Sequence, residues 1–405
     1  MATSANSEAK RAPAAVETLT TGRLVLLASL AALGALATNI MLPAFPAMAH
    51  ELGVLPRELA WTLSIFFVVF AVGQLFVGPL ADAMGRAPFV FGGLAVFVIG
   101  SIVCTLAPSL PMLLAGRAIQ ALGACAASVL ARAIARDLYA GPELTRALAL
   151  VMIAMAAAPG FSPALGTGMT LTFGWRSTFV LVTVAAVLVA LHYWRSAGET
   201  LPEIRRRKQR PLTIARNYVE LAIDPRFIFP ALSVSLVIGC LYSFFGAAPA
   251  ILMTDMGLSA TGLSIFFAVT VLVVFGSGLV AAPLARRWGA RRVGMAGIML
   301  ALAGGFWLLV QADAPTQTQF MAAVTMFLAG MGLINPVGTA IALEPFGDRA
   351  GLASALLGFL QMACAAIGTM LIGALPVAAA TAYAWVVFGG MMLGALTFLP
   401  VLRIR

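Results

Sequence analysis

Pro79-Leu-Ala-Asp-Ala-Met-Gly-Arg86 is echoed by Pro283-Leu-Ala-Arg-Arg-Trp-Gly-Ala290. The two stretches share Pro-Leu-Ala and a glycine six places after the proline, and they lie 204 residues apart in a chain of 405. Each follows a long apolar run. An offset of half the chain points to a duplicated unit, so the question becomes what each copy contains.

The chain is 61% hydrophobic and 10% charged. A soluble protein carries about 25% charged residues on its surface, so most of this surface is solvated by lipid. A helix needs about 20 apolar residues to cross the bilayer core. That rule predicts spans over residues 24–46, 59–80, 88–108, 111–131, 147–172 and 177–194, then over 227–249, 263–285, 293–311, 319–343, 351–374 and 381–402. Uninterrupted runs without period-2 alternation exclude a membrane β-barrel. The fold class is therefore an all-α integral membrane protein, with twelve spans in two pseudo-symmetric sets of six. Residues 1–23 read as a polar tail, 24–194 and 227–405 as the two six-helix halves, and 195–226 as the linker between them.

Loop charge orients the chain. Of 25 Lys and Arg, only Arg57 and Arg176 fall in loops on the far side, and Arg117 lies inside a span. All the others gather on the side of the termini, which the positive-inside rule makes cytoplasmic. The same distribution explains the net charge of +10 without nucleic acid. The first 23 residues lack a short apolar core and a cleavage site, and so read as a cytoplasmic tail rather than a signal peptide. The linker carries Arg205-Arg-Arg-Lys-Gln-Arg210 and reads as facing lipid headgroups. Cys104, Cys125, Cys240 and Cys364 sit in apolar runs without disulfide or metal spacing. No metal and no cofactor is expected.

At these residues the chain resembles the major facilitator superfamily, and within it the Bcr/CflA-type drug:proton antiporters, which include bicyclomycin and chloramphenicol exporters. Gly78-Pro-Leu-Ala-Asp-Ala-Met-Gly-Arg86 matches the superfamily's loop 2–3 signature at Gly78, Asp82, Gly85 and Arg86, but has Ala83 and Ala87 where basic residues are usual. Arg117-Ala-Ile-Gln-Ala-Leu-Gly123 matches the span-4 motif. Ala135-Arg-Asp-Leu-Tyr139, Gly174-Trp-Arg-Ser-Thr-Phe179, Ala342-Leu-Glu-Pro-Phe-Gly347 and Ala353-Ser-Ala-Leu-Leu-Gly-Phe-Leu-Gln361 match subfamily stretches. Ala158-Pro-Gly-Phe-Ser-Pro-Ala-Leu-Gly-Thr167 resembles the span-5 antiporter motif. There Pro159 and Pro163 remove backbone donors and bend the helix, while Gly166 permits close packing. The resemblance implies alternating access in a bacterial inner-membrane protein. It also makes Gly78, Asp82, Gly85, Arg86 and Asp137 a cytoplasmic latch for the outward-open state, with Asp82 docking near the start of span 11. One departure bears on coupling. Where the subfamily commonly reads Thr-Asp-Met-Tyr-Leu-Pro, this chain reads Thr38-Asn-Ile-Met-Leu-Pro43, so the acid is Asn39 and the tyrosine position is Met41.

The polar groups inside the spans are the remaining clue. At about 1.5 Å per residue, Asn39 lies about 10 Å and Arg117 about 9 Å below the outer boundary, at one level. Gln120 shares the Arg117 face. Arg117 is the one charge well inside a predicted span, which points it at a water-filled cavity or at backbone carbonyls that it ties together. The Asn39 amide either makes an interhelical hydrogen bond, accepting from Arg117, or donates to substrate. Unlike a carboxylate it carries no proton. Asn335 precedes Pro336 and serves either a freed carbonyl or the cavity; Gln74 and Gln361 read the same way. Tyr242, with Phe66, Phe67, Phe244 and Phe245, either packs or stacks on an aromatic substrate. His50 and His192 are isolated. The function expected is a monomeric secondary exporter of small amphipathic drugs or metabolites, coupled to protons. A facilitator or anion exporter with altered coupling is the alternative. No His-Glu-x-x-His, Gly-x-Ser-x-Gly or paired aspartates inside spans suggest an enzyme.

Overall fold

The computed structural model describes residues 20–206, 210–312 and 315–403. Most of the tail 1–23 and residues 207–209 of the basic run lie outside the described residues. The described chain is all α-helical, with twelve helices long and apolar enough to cross a membrane. They are Thr21–Leu52, Pro56–Met84, Arg86–Thr105, Leu110–Leu138, Gly141–Phe173 and Arg176–Ser196, then Pro225–Asp255, Ala260–Trp288, Ala290–Val310, Gln317–Gly347, Ala350–Ala374 and Ala379–Leu402. These are spans 1 to 12 below. Only helices satisfy every backbone group within one segment of an open chain in lipid, and the apolar runs leave no other choice. This is a multi-pass membrane protein.

Most spans outrun their predicted limits, because a helix continues past the hydrocarbon wherever nothing stops it. Span 4 is the consequential case. It runs to Leu138, seven residues beyond its predicted end at 131, and so carries Arg132, Arg136 and Asp137 on one continuous helix. Span 1 departs in the other direction. Its α-helix stops at Asn39, a 3-10 turn follows over Leu42–Ala44, and a short helix resumes over Phe45–Leu52. Pro43 and Pro46 have no N–H to continue the ladder. Span 7 breaks in the same region of the fold, where the helix over Pro225–Ala248 passes at Pro249 into a π-helical turn reaching Asp255.

The repeat read from sequence has a conformational counterpart. Gly85 and Gly289, both ending the helix that carries the repeated motif, have φ of 106° and 89°. A side chain is strained in that region. At Gly85 a Cβ would also lie 3.2 Å from Cδ of Glu199, so that side chain would have to shift. Gly53 and Gly257, at φ of 65° and 70°, form a second pair at the same spacing.

Packing repeats as well. Span 3 lies on span 4 and span 9 on span 10; span 1 lies on span 5 and span 7 on span 11; span 3 on span 6 and span 9 on span 12. Spans 2 and 11 join the two sets on one side, spans 5 and 8 on the other. The linker also carries a helix, Pro211–Ile223. It does not simply face headgroups. Leu221 is buried beside Phe227, Ala342 and Ala353, and the Tyr218 hydroxyl donates to the Leu75 carbonyl of span 2 at 3.2 Å. Arg349 pairs with its Glu220 at 3.3 Å.

Candidate functional site

Arg117 is fully buried on span 4. Its Nη1 donates to the Ala37 carbonyl of span 1 at 3.2 Å and to Gln120 Oε1, and its Nε donates to the Thr62 carbonyl of span 2 at 3.4 Å. Its guanidinium lies 4.4 Å over the Phe66 ring. Gln120 in turn donates to Ser101 of span 3 at 2.7 Å, and Ser101 to the Phe97 carbonyl at 2.8 Å. The break in span 1 brings the Ala37 carbonyl within reach of Arg117. Four spans are thereby tied through one cation, whose burial near mid-membrane costs about 2.5–3.5 kcal/mol on insertion scales.

This geometry favours one of the two readings of Arg117 and corrects one of Asn39. Arg117 faces protein rather than a water-filled cavity in this conformation, because carbonyls and Gln120 enclose it. Asn39 does not accept from it. The Asn39 Nδ2 donates to the Ala35 carbonyl at 2.8 Å and to Thr38 at 3.1 Å, while Oδ1 is buried without a hydrogen bond. Arg117 Nη2 is likewise buried and unbonded. An unused donor and an unused acceptor therefore sit at one level. Met41, two residues after Asn39, is fully buried. Gly166 of span 5 lies against Ile40, where a Cβ would come within 2.8 Å of the Ile40 carbonyl carbon, so only glycine lets span 5 close on the span-1 break. The helix continues as α through Pro159 and Pro163.

Aromatic rings connect this cluster to the second set of spans. Phe66 stacks on Phe70 at 5.9 Å, and Phe67 meets Tyr242 at 4.9 Å. Tyr242 contacts Phe245, which contacts Phe267; Phe244 touches Phe266, Phe267 and Tyr383. The Tyr383 hydroxyl is buried without a partner. Asn335 and Gln361 are half-buried, and neither makes a side-chain hydrogen bond to another described residue.

On the far side the two sets of spans close on each other. Ser64 of span 2 donates to Thr369 of span 11 at 2.8 Å. Thr167 of span 5 bonds Ser264 of span 8 at 2.9 Å and donates to the Ala260 carbonyl at 3.3 Å. Both serines belong to the same pentapeptide, Leu-Ser-Ile-Phe-Phe at 63–67 and at 263–267. Neither a motif match nor a charge marks these residues in the sequence; the repeated pentapeptide is the signal for the two serines.

The termini side holds a cavity of about 370 Å³ between spans 2, 4 and 11 and the linker helix. Gln74, Gly78, Asp82, Arg86 and Asp137 line it together with Arg132 and Arg136. Arg86 pairs with Asp82 at 2.6 Å and with Asp137 at 2.7 Å. Asp82 is half exposed. It shares the cavity with Gly351 and Leu352 of span 11, but its hydrogen bond goes to Arg86 rather than to the start of that helix. The expected docking is therefore not made in this conformation, because the cavity separates the two. Glu199, just past span 6, accepts from the backbone N–H of Arg86 and Ala87 at 2.9 and 3.2 Å. Burial opposes its charge, yet these bonds, that from Leu201 and the nearby Arg206 hold its carboxyl below the ordinary value. Arg132 is a further charge inside span 4, beyond the end predicted for it at residue 131.

A bundle of twelve helices, paired six to six, closed at one end and hollow at the other, now has sequence relatives to set beside it. The Major Facilitator Superfamily profile matches residues 27–369. The chain belongs to the major facilitator superfamily. It is 29% identical over 358 residues to a chloramphenicol resistance protein of Pseudomonas aeruginosa, covering 87% of this chain and 84% of that one. It is 27% identical over 341 residues to multidrug resistance protein D of Escherichia coli, covering 84% and 85%. The fold is similar to that of a D-xylose-proton symporter, with a TM-score of 0.73 at 14% identity over 93% of this chain and 97% of that one. This major facilitator protein is thus a membrane transporter, and these two sequence relatives are named for drug resistance.

Proposed function

We propose that this chain is a secondary exporter of small amphipathic drugs or metabolites that works by alternating access, with both termini cytoplasmic. The observation that carries the reading is the pairing of a sealed far side with a termini-side cavity that reaches Gln74 in mid-span. A volume of about 370 Å³ lies within the roughly 300–1,000 Å³ range of small-molecule sites. Residues 24–194 and 227–403 act as the two rocking bodies, and Asp82, Arg86 and Asp137 form the latch between states. Proton coupling, which the family resemblance implies, runs through groups other than Asn39, since an amide does not titrate. The carboxylates available to the cavity are Asp82 and Asp137. A carrier with altered coupling is the second reading, favoured by the same replacement.

Inside-out vesicles test both. Chloramphenicol accumulation that grows with an imposed inward-acidic gradient supports the coupled exporter. Accumulation indifferent to the gradient favours altered coupling, and no movement of chloramphenicol or other amphipathic drugs in either condition refutes export.

A further inference from the structure

The termini-side cavity is lined by three guanidinium groups, Arg86, Arg132 and Arg136, and by two carboxylates, Asp82 and Asp137. Both carboxylates bind Arg86, at 2.6 and 2.7 Å. Among the described residues, no carboxylate pairs with Arg132 or Arg136. The contrast with Arg117 is informative. That arginine is held by two carbonyls and an amide through Nε and Nη1, whereas Arg132, half-buried and about 9 Å inside the end of span 4, has no hydrogen bond to a described residue. Arg136 follows it by four residues, a spacing at which like charges repel across one helical turn. Such a charge, partly buried and one turn from a second guanidinium, is stabilised by an anion that enters the cavity.

We propose that this cavity binds small amphipathic anions. A carboxylate, sulfonate or phosphate is held by the Arg132 guanidinium, whose planar fork suits such groups. The apolar body of the ligand rests on Val129, Leu352 and Ile214, and Gln74 and Ser354 supply further polar contacts. The substrates of the exporter are then acids. This assignment rests on the exporter reading above, but the binding site itself does not. It also fits the absence, among the described residues, of any carboxylate in the cavity left free to receive a cationic drug.

The test uses the full chain in phosphatidylcholine nanodiscs and two probes of matched shape, 2-naphthoate and the neutral 2-naphthamide, by equilibrium dialysis. The native protein is expected to bind the acid about fivefold more tightly than the amide, the scale of one partly solvated ion pair. Arg132→Gln removes that preference by weakening naphthoate binding more than naphthamide binding; Arg132→Lys retains part of it. Equal affinities in the native protein overturn the proposal without any variant, as does a preference that survives Arg132→Gln. If that variant does not reach the membrane, Arg132→Lys carries the test, because loss of the fork must lower the ratio. Loss of naphthoate binding on adding phosphatidylglycerol would assign the site to a lipid headgroup and overturn the small-molecule assignment. Chloramphenicol export without any preference for naphthoate sinks the anion site and leaves the exporter. Naphthoate preference without transport of any compound does the reverse.

Discussion

Removing the two far-side hydroxyl contacts together, Ser64→Ala with Thr167→Val, should release the closed end of the transporter. Ser64 meets Thr369 at 2.8 Å, and Thr167 meets Ser264 at 2.9 Å. When the far ends part, the partners are not orphaned. Thr369 keeps its bond to the Ala365 carbonyl at 2.9 Å, and Ser264 keeps its bond to the Ala260 carbonyl at 3.0 Å. Each contact is therefore worth only its net value, about 1 kcal/mol. The two lie on different pairs of spans and share no residue, so their effects add to about 2 kcal/mol. That is roughly a 30-fold rise in the ratio of far-side-open to far-side-closed protein, and about fivefold for either substitution alone. Spin labels on the exposed Arg57 and Thr261 sites, which flank the closed end on opposite sets of spans, report that ratio as the weight of the long-distance component. An unchanged distance distribution in the double variant would refute the reasoning, and so would a single variant that reproduces the whole effect.

Arg117→Ala should abolish export and lower the thermal midpoint, because Gln120 and two carbonyls lose a charged donor, a loss on the order of 3 kcal/mol. Arg117→Lys should recover little, lacking the fork; native transport by the alanine variant would remove Arg117 from the mechanism. Asp82→Asn should slow turnover more than it weakens drug binding, as measured by separate binding and flux assays, since its carboxylate meets Arg86 rather than the deep cluster. A binding loss at unchanged turnover contradicts this. Asn39→Asp places a titratable group at the depth of Arg117, whose Nη2 is unbonded, and transport should gain a pH-gradient dependence; a native protein already strongly gradient-driven and unaltered by the change counts against it. Glu199→Gln should lower the thermal midpoint at pH 7. The native carboxyl is depressed below 4.5, so its contribution is present above that value and is lost as pH falls through the native pKa, where the two midpoints should converge. A gap that persists in acid would mean the amide fails for a reason other than charge.

Much of the architecture is a local property and was legible. Long apolar runs admit only helices in lipid, and a glycine six places after a repeated proline marks the same left-handed helix end at Gly85 and Gly289. Cysteines placed in the core by their apolar surroundings are free thiols, three of them buried. What polar atoms meet was not legible. Periodicity gives the face on which a residue sits but not the element that covers it. Arg117 and Asn39 share a depth, yet Arg117 bonds to carbonyls because the break in span 1 offers them, and Asn39 bonds to its own helix. Arg132 was missed for a different reason. Hydropathy marks where apolar composition ends, whereas the helix runs on until its backbone is stopped, here carrying a cation into a cavity that spans 2 and 11 and the linker helix complete. Ser64 and Thr369 stand 305 residues apart. Only the packing of spans 2 and 11 makes them neighbours, and the same packing decides which end of the transporter is shut.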